Sequence, residues 1–452
     1  MTGTSKGLAL LVAGAFFMEI LDATVIAPAA PHIAADLGVN PVAINVAITG
    51  YVLTLAVLIP ISGWLTDRFG ARRVFMLAVA VFTLASVGCA AAGNLPMLVG
   101  TRVLQGAGGA MMVPVGRLVV IRTTAKTDLV RAIAYLTWPA LAAPLVAPAL
   151  GGVLSTYASW RWIFVINVPL GLAALLLARR LVPPVRAAEP APLDRTGFLL
   201  TAAGMGALVI GLEAHGVTRI AALALAAAAI TAAIRHLLRA RNPLLDLRIV
   251  RVRTYRVTAL GGSVFRAVIT AIPFLLPLFF QLGFGWTAAQ AGFVVIALFA
   301  GNIGIKPATT PLMRRFGLRA VMLGSVIASA ACLVAMAFLR ATTPLPVLLG
   351  LLLLSGIFRS SGFTTYNTIA FADVPQPQMT SANTLMSTIQ EVGSGLGVAA
   401  GALLVRLGEP LTGGGDGGYR VAFVALAVLL VAPAIEAITL PRTAGNVLTG
   451  RE

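Results

Sequence analysis

The stretch GWLTDRFGARRVFML (residues 63–77) sets an Arg-Phe-Gly turn between two apolar runs, and TPLMRRFGLRAVML (residues 310–323) does the same again. In each copy basic residues flank one glycine, and an apolar run of helix length follows. So short and charged a connection between hydrophobic segments reads as a turn at a membrane surface. Its recurrence is a weak internal repeat of the kind found in transport proteins. The copies lie eight apolar segments apart rather than six, which predicts two six-helix bundles with two extra helices between them. The expected boundaries are 1–187 for the first bundle, 188–240 for the insert and 241–452 for the second.

The composition agrees with a membrane setting. Of 452 residues, 59% are hydrophobic and 11% charged, where soluble domains carry about 25% charged residues. A soluble core of this length has no room for so much apolar surface. Segments of about 20 apolar residues suffice to cross a bilayer. Fourteen occur, at roughly 7–30, 43–65, 72–93, 96–118, 131–157, 162–182, 196–215, 218–238, 255–282, 287–310, 318–339, 344–368, 381–407 and 418–440. The first starts after Lys6 and runs past any cleavage point, so it reads as a retained helix and not as a leader.

The charges test the count. The 33 Lys and Arg residues give a net charge of +18. With the N-terminus inside, the loop residues Arg161, Arg219, Arg340, Arg406 and Arg420 fall outside, and Arg102, Arg266, Lys306 and Arg359 fall within spans. All the others collect inside, including Arg117 and the dense run from Arg235 to Arg256. This asymmetry predicts both termini on the cytoplasmic side and the loop near Gly414 outside. In a soluble protein the same excess would point to nucleic acid. Here the expected partner of the basic loops is the lipid bilayer, and no nucleic acid.

Cys89 and Cys332 both lie in apolar runs, and His32, His215 and His236 are scattered, so neither a disulfide framework nor a metal site is expected.

The motifs carry a resemblance. GWLTDRFGARR resembles the signature loop between the second and third helices of the major facilitator superfamily. The family's loop latches its two bundles in one state of the cycle, which implies that role for Gly63, Asp67, Arg68, Gly70, Arg72 and Arg73. In the second copy Arg314 stands in the position of Asp67, so the turn is expected without the latch. TRVLQGAGGAMMVPVGR resembles the family's Arg-x-x-Gln-Gly pattern, with Arg102 and Gln105 on one helix face and small residues for close packing. APLVAPALGGVL resembles the antiporter motif. Pro148, Gly151 and Gly152 match it, while Ala143 and Ala147 replace its first two glycines. A generic kinked helix is the other reading of that stretch. LDATVIAPAAP, WRWIFVINVPLG and NPLLDLRIVRVRTYR resemble segments of the fourteen-helix drug–proton antiporters of the EmrB/QacA type.

The resemblance spans nearly the whole chain. It implies an all-α polytopic membrane protein with the major facilitator fold, two pseudo-symmetric six-helix bundles around a central cavity. The implied activity is proton-driven export of drugs or drug-like small molecules across a bacterial inner membrane. The protein would be a monomer, with protons as coupling ion and no other cofactor. Export of a specific endogenous metabolite, such as a siderophore or organic anion, is the alternative on the same fold. An intramembrane enzyme or a channel is the alternative from another class. The chain has no HExxH, no matched catalytic set and no GxxxxGK[ST] for nucleotide drive.

Buried charges supply the candidate site. In FFMEILDATVIAPAAP, Glu19 and Asp22 sit three residues apart inside the first span. A carboxylate in hydrocarbon costs at least a few kcal/mol and marks a functional position. Counting about 1.5 Å per residue puts Asp22 about 12 Å below the outer end of span one and Arg102 about 9 Å below that of span four. In the fold that the resemblance implies, spans one and four both line the cavity, which makes Asp22, Glu19 and Arg102 the expected proton-coupling group, with a permanently paired, structural Asp22 as the alternative. Arg266 and Glu391 share a depth of about 16 Å from the opposite surface. Gln105, Arg266, Arg359 and Glu391 are expected to line a substrate cavity, and Lys306 is expected to snorkel to the cytoplasmic surface.

Overall fold

The computed structural model describes residues 3–125, 128–184, 191–214, 216–412, 416–441 and 444–445. The described residues are helical with short turns and no strands. The first ten helices are α1 (Gly3–Asp36), α2 (Asn45–Leu58), α3 (Ser62–Phe69), α4 (Ala71–Ala90), α5 (Leu95–Thr123), α6 (Leu129–Tyr157), α7 (Trp162–Val165), α8 (Asn167–Leu181), α9 (Arg195–Glu213) and α10 (Gly216–Arg239). Then follow α11 (Arg253–Ala259), α12 (Gly261–Leu278), α13 (Ala288–Gly304), α14 (Lys306–Phe316), α15 (Leu318–Ala337), α16 (Leu345–Ile369), α17 (Met379–Thr412), α18 (Gly417–Leu429) and α19 (Val431–Thr439).

Each of the fourteen expected spans coincides with a helix or helix pair. Among the described residues 12 helical segments are long and apolar enough to cross a membrane, or 13 if α13 and α14, bent by 50° at their junction, count as one. The fifth expected span falls on α6, several of whose side chains lie outside the described residues. So does the loop at Gly414.

The chain divides into two compact units. Unit 1 comprises residues 1–124, 135–248 and 375–388, and unit 2 comprises 125–134, 249–374 and 389–452. The helices of the insert, α9 and α10, pack on each other, and α9 packs on α2, so both belong to unit 1. The first ten residues of α17 also belong to unit 1.

The repeat seen in the sequence is a repeat of structure. Helices α3 and α14 stop at Phe69 and Phe316, and the next residues are Gly70 at φ 88°, ψ 141° and Gly317 at φ 83°, ψ 157°. Only glycine reaches that region without strain. In both turns the glycine N–H closes the preceding helix, on Thr66 O and Met313 O, and its carbonyl opens the next one. Two 20-residue helices, α4 and α15, follow. The packing repeats as well. In unit 1, α5 lies on α2 and α4, and α4 lies on α8. In unit 2, α16 lies on α13 and α15, and α15 lies on α18.

Local chemistry sets the helix ends. Asn94 accepts from Met97 N at 2.9 Å to start α5. Thr287 and Gln290 form a reciprocal capping box at α13. Asp194 caps α9 through Gly197 N at 2.8 Å, and its carboxylate also meets His236 Nε2 at 2.8 Å and Leu244 N at 3.2 Å. One side chain thus ties both insert helices to the segment that follows them. Burial pushes the Asp194 carboxyl up, but the Gly197 N–H, His236 and the Leu244 N–H outweigh it and hold it below its ordinary value. A depressed carboxyl stabilises the fold above its unfolded pKa, and that contribution is lost as pH falls through the folded pKa. Asp194→Ala should therefore cost about 1 kcal/mol at neutral pH, as N-cap losses do. Thermal melts of the two proteins should draw together as pH falls from about 4 and converge below the folded pKa, which lies lower. A gap that persists there would mean that the charge of Asp194 is not what caps the helix.

Candidate functional site

Unit 1 holds a buried polar network inside an apolar bundle. Asp22 is 1% exposed, and Arg102, Gln105 and Asn167 are 0% exposed. Arg102 Nη1 donates to Asp22 Oδ2 and, at 2.7 Å, to Gln105 Oε1. Asp22 Oδ1 accepts from Gln105 Nε2 at 2.8 Å and from Asn167 Nδ2 at 2.9 Å. Gln105 Nε2 also donates to Ser86 Oγ at 2.8 Å. The guanidinium of Arg102 lies 4.1 Å over the Tyr51 ring, a cation–π contact that shields it from hydrocarbon. Helices α1, α4, α5 and α8 each contribute one or more of these groups, so the network also fixes how the four pack.

The helix backbones make room for it. At Gly106 an added Cβ would stand 2.7 Å from Tyr51 O, and at Gly108 2.7 Å from Phe82 N. These two glycines let α5 touch α2 and α4. Gly151 does the same for α6, where a Cβ would stand 2.6 Å from Val25 O on α1. Ala143 and Ala147 are fully buried in the core shared with Val25 and Ala29. Gly152 has open space around it, and the side chain of Pro148 lies outside the described residues.

Glu19 is partly buried. Its Cγ lies 3.7 Å from where a Cβ on Gly109 would stand, and Tyr51 Oη donates to the Glu19 carbonyl at 3.4 Å. The two acids of span one thus have different surroundings. Asp22 is sealed by four helices, while Glu19 keeps some exposure.

A second network in unit 1 surrounds the Arg-Phe-Gly turn. Asp67 Oδ1 accepts from Thr380 Oγ1 at 3.1 Å and lies 3.5 Å from Arg122 Nη1, while Arg122 Nη2 donates to Thr380. Thr380 stands in the first turn of α17, so Asp67 faces a helix N-terminus, where negative charge is favoured. Arg117 Nε donates to Asn383 Oδ1 at 2.8 Å and its Nη2 to Ser387 Oγ at 2.5 Å. Asn383 Nδ2 donates to Pro114 O at 2.8 Å. A Cβ on Gly63 would stand 2.3 Å from Thr384 Oγ1, so this glycine is what lets α3 meet α17. Arg72 Nε donates to Val182 O at 2.5 Å, while Arg68 and Arg73 are both exposed. Arg117, expected among the basic loop residues, is instead buried, because Asn383 and Ser387 satisfy it.

In unit 2, Arg266 Nε donates to Ser394 Oγ at 3.0 Å and to Gln390 O at 3.3 Å, and its guanidinium lies 4.9 Å from the Phe363 ring. Glu391 interacts with it electrostatically. Gln390 Nε2 donates to Asn367 Oδ1 at 2.7 Å. Arg359 is buried, and its Nε and Nη1 make no hydrogen bond among the described residues. Lys306 does not snorkel. It is 6% exposed and donates to Thr364 Oγ1 at 2.6 Å. The bend at the α13–α14 junction turns the first residue of α14 toward α16, so the amine finds a hydroxyl before it finds water.

Some participants were not singled out from the sequence. Asn167 lies inside WRWIFVINVPLG as a lone amide in an apolar run, which is itself a signal of a buried partner. Thr380, Asn383, Thr384 and Ser387 recur at helical spacing in MTSANTLMSTIQE and so mark a polar face.

A polytopic helical protein with repeated bundles and intramembrane charge networks is a membrane transporter by class. The chain belongs to the Major Facilitator Superfamily, whose model matches residues 12–398 and 258–447. It is 37% identical over 447 residues to "Putative multidrug resistance protein MdtD" of Cronobacter sakazakii, covering 95% of this chain and 94% of that one. The protein of the same name from Escherichia coli O7:K1 is 38% identical over 407 residues, covering 88% and 85%. Among solved structures, the human organic anion transporter MFSD10 matches with TM-score 0.70 at 13% identity, covering 97% of this chain and 100% of that one. The proton:xylose symporter XylE matches with TM-score 0.65 at 14% identity, covering 98% and 97%. At such identities the two structures bear on the fold alone.

Proposed function

We propose that this protein is a proton-coupled antiporter that exports drugs or drug-like small molecules across the bacterial inner membrane by alternating access. The observation that carries the coupling is Asp22. Its carboxylate accepts from three donors, so it is well satisfied only while charged. A proton on either oxygen replaces an acceptor with a donor and breaks the match with Arg102 and Gln105. Protonation and rearrangement of α1 against α5 are then one event, which is what coupling requires. In this reading Glu19, one turn away and partly exposed, passes the proton or meets a cationic substrate. The drug substrate class rests on the relatives' printed name.

The hydrogen bonds of α17 to Asp67, Arg117 and Arg122 suit the alternation. Polar contacts of this kind exchange for water at little net cost, so a helix held by them can let go and return. The Lys and Arg asymmetry supports cytoplasmic termini. We further take the protein to act as a monomer with no bound cofactor other than the proton.

One observation favours export of an organic anion instead. Arg359 carries two buried nitrogens, Nε and Nη1, without a hydrogen bond among the described residues, and unit 2 also buries Lys306 and half-buries Arg266. Purified protein in liposomes with an imposed pH gradient decides. Uptake of a lipophilic cationic dye that follows the gradient and collapses with a protonophore supports the antiporter. Dye flux indifferent to the gradient would overturn the coupling, and gradient-driven flux of organic anions alone would overturn the substrate class.

A further inference from the structure

Between Asp246 and Asp373 the chain carries no Asp or Glu, yet it carries Arg314, Arg315, Arg319 and seven further Arg or Lys besides Arg248. Helices α11 to α16 therefore hold cations with no carboxylate among them. Where α14 ends, Arg314 and Arg315 are exposed, and neither is in an ion pair among the described residues. Arg315 lies 5.5 Å from the ring of Phe316.

A groove begins at the next residue, Phe316. It has a volume of about 340 Å³ and is lined by Ile305, Leu312 and Phe316 from the α13–α14 junction and α14, Val321 and Gly324 from α15, and Phe358 from α16. It lies at the junction where α13 and α14 are bent by 50° and is closed on its other sides by α15 and α16. From Phe316 to Ile305 the groove follows about 16 Å of helix. One leaflet of a bilayer core is about 15 Å deep. Its walls are almost wholly apolar, and its one charged end is the Arg-Phe-Gly turn at the membrane surface.

We propose that this groove is a binding site for an anionic phospholipid, one acyl chain lying along α14 and α15 and the phosphate headgroup held by Arg314 and Arg315. The length fits a chain in one leaflet, and Arg314 and Arg315 have no carboxylate partner among the described residues. An arginine pairs a phosphate with two parallel N–H donors, and each basic residue near the surface strengthens binding of an anionic lipid about fivefold. The site is independent of the transported substrate and of the direction of transport.

The test uses the full chain in nanodiscs containing equal amounts of phosphatidylglycerol and phosphatidylcholine. The protein is extracted into mild detergent and the retained lipid counted by mass spectrometry. The wild type should retain phosphatidylglycerol at least about fivefold over phosphatidylcholine. Gly324→Leu fills the groove, and since nothing stands within 4 Å of a Cβ there, the variant has room to fold. It should lose most retained lipid. Gly350→Leu, equally open but away from the groove, should behave as the wild type. The surface variant Arg314→Gln, Arg315→Gln should keep some lipid but lose the headgroup preference. Equal retention of the two lipids by the wild type would overturn the proposal, as would wild-type retention in Gly324→Leu or loss in Gly350→Leu. Release of phosphatidylglycerol by millimolar inorganic phosphate would assign the arginines to a free anion instead and overturn it too.

Discussion

Asp22→Asn protein should reach the membrane in folded form and yet show no efflux driven by a pH gradient. The amide keeps the size of the carboxylate and still offers Arg102 an acceptor, so α1 and α5 retain most of their contact. What it removes is the titrating group and the counter-charge of Arg102, so some folded protein should be lost, less than on truncation because the hydrogen bond to Arg102 remains. Flux in proteoliposomes should fall to the level of empty vesicles, while Glu19→Gln should leave a reduced, gradient-dependent flux. Truncation on the other side of the pair should act differently. Arg102→Leu leaves a buried carboxylate with no counter-charge, and stranding one member of a buried pair costs about 3–5 kcal/mol. That variant should lose folded protein as well as transport, and Asp22→Leu combined with Arg102→Leu should recover the fold without recovering transport. A pH-dependent flux in Asp22→Asn equal to that of the wild type would show that the proton moves through another group.

The second large effect concerns packing, and it should appear as absence of folded protein. At Gly356 an added Cβ would stand 2.0 Å from Leu298 O, and at Gly301 2.0 Å from Leu353 O. Each glycine is covered by the other helix's backbone, so α13 and α16 touch main chain to main chain, as small residues permit in membranes. Neither carbonyl has a flexible end that can move aside. Gly356→Leu should force the helices apart, exposing Asn302 and Ser360, whose carbonyl and hydroxyl meet at 2.8 Å across the seam. Overpacking of this severity goes beyond the 1–3 kcal/mol range of ordinary core insertions, so the monodisperse peak in size-exclusion chromatography should vanish. Gly350→Leu, on the same helix as Gly356 but facing open space, should keep the peak. Survival of Gly356→Leu as a monodisperse, heat-stable protein would mean that the contact of α13 and α16 is much looser than described here.

Much of this was legible along the chain, for identifiable reasons. Apolar runs of about 20 residues are self-contained statements about a bilayer, and every expected span falls on a helix. The Arg-Phe-Gly turns could be read because a glycine at positive φ between two helices is a local requirement, met twice. The depth match of Asp22 and Arg102 was readable because helical rise is constant. What resisted reading depended on rotation and on bends. Depth says nothing of which way a side chain points, so Asn167, Ser86 and Tyr51 were not assigned to Asp22 or Arg102. Lys306 was misplaced because a linear count of residues cannot contain a bend of 50°.

By itself, then, the sequence determined the class of the protein, the order of its apolar helices, the repeat, and the presence of carboxylates and arginines at shared depths. Those properties follow from hydropathy, helical rise and backbone sterics, which act between neighbours in the chain. The tertiary structure alone decided which charges meet. It sealed Asp22 behind three donors, gave Arg117 and Asp67 to the first turns of α17, turned Lys306 to Thr364, and left Nε and Nη1 of Arg359 without acceptors among the described residues. A hydrogen bond requires a distance and a direction at once, and between helices far apart in sequence both are set by the rotation of packed cylinders, which close glycine contacts fix.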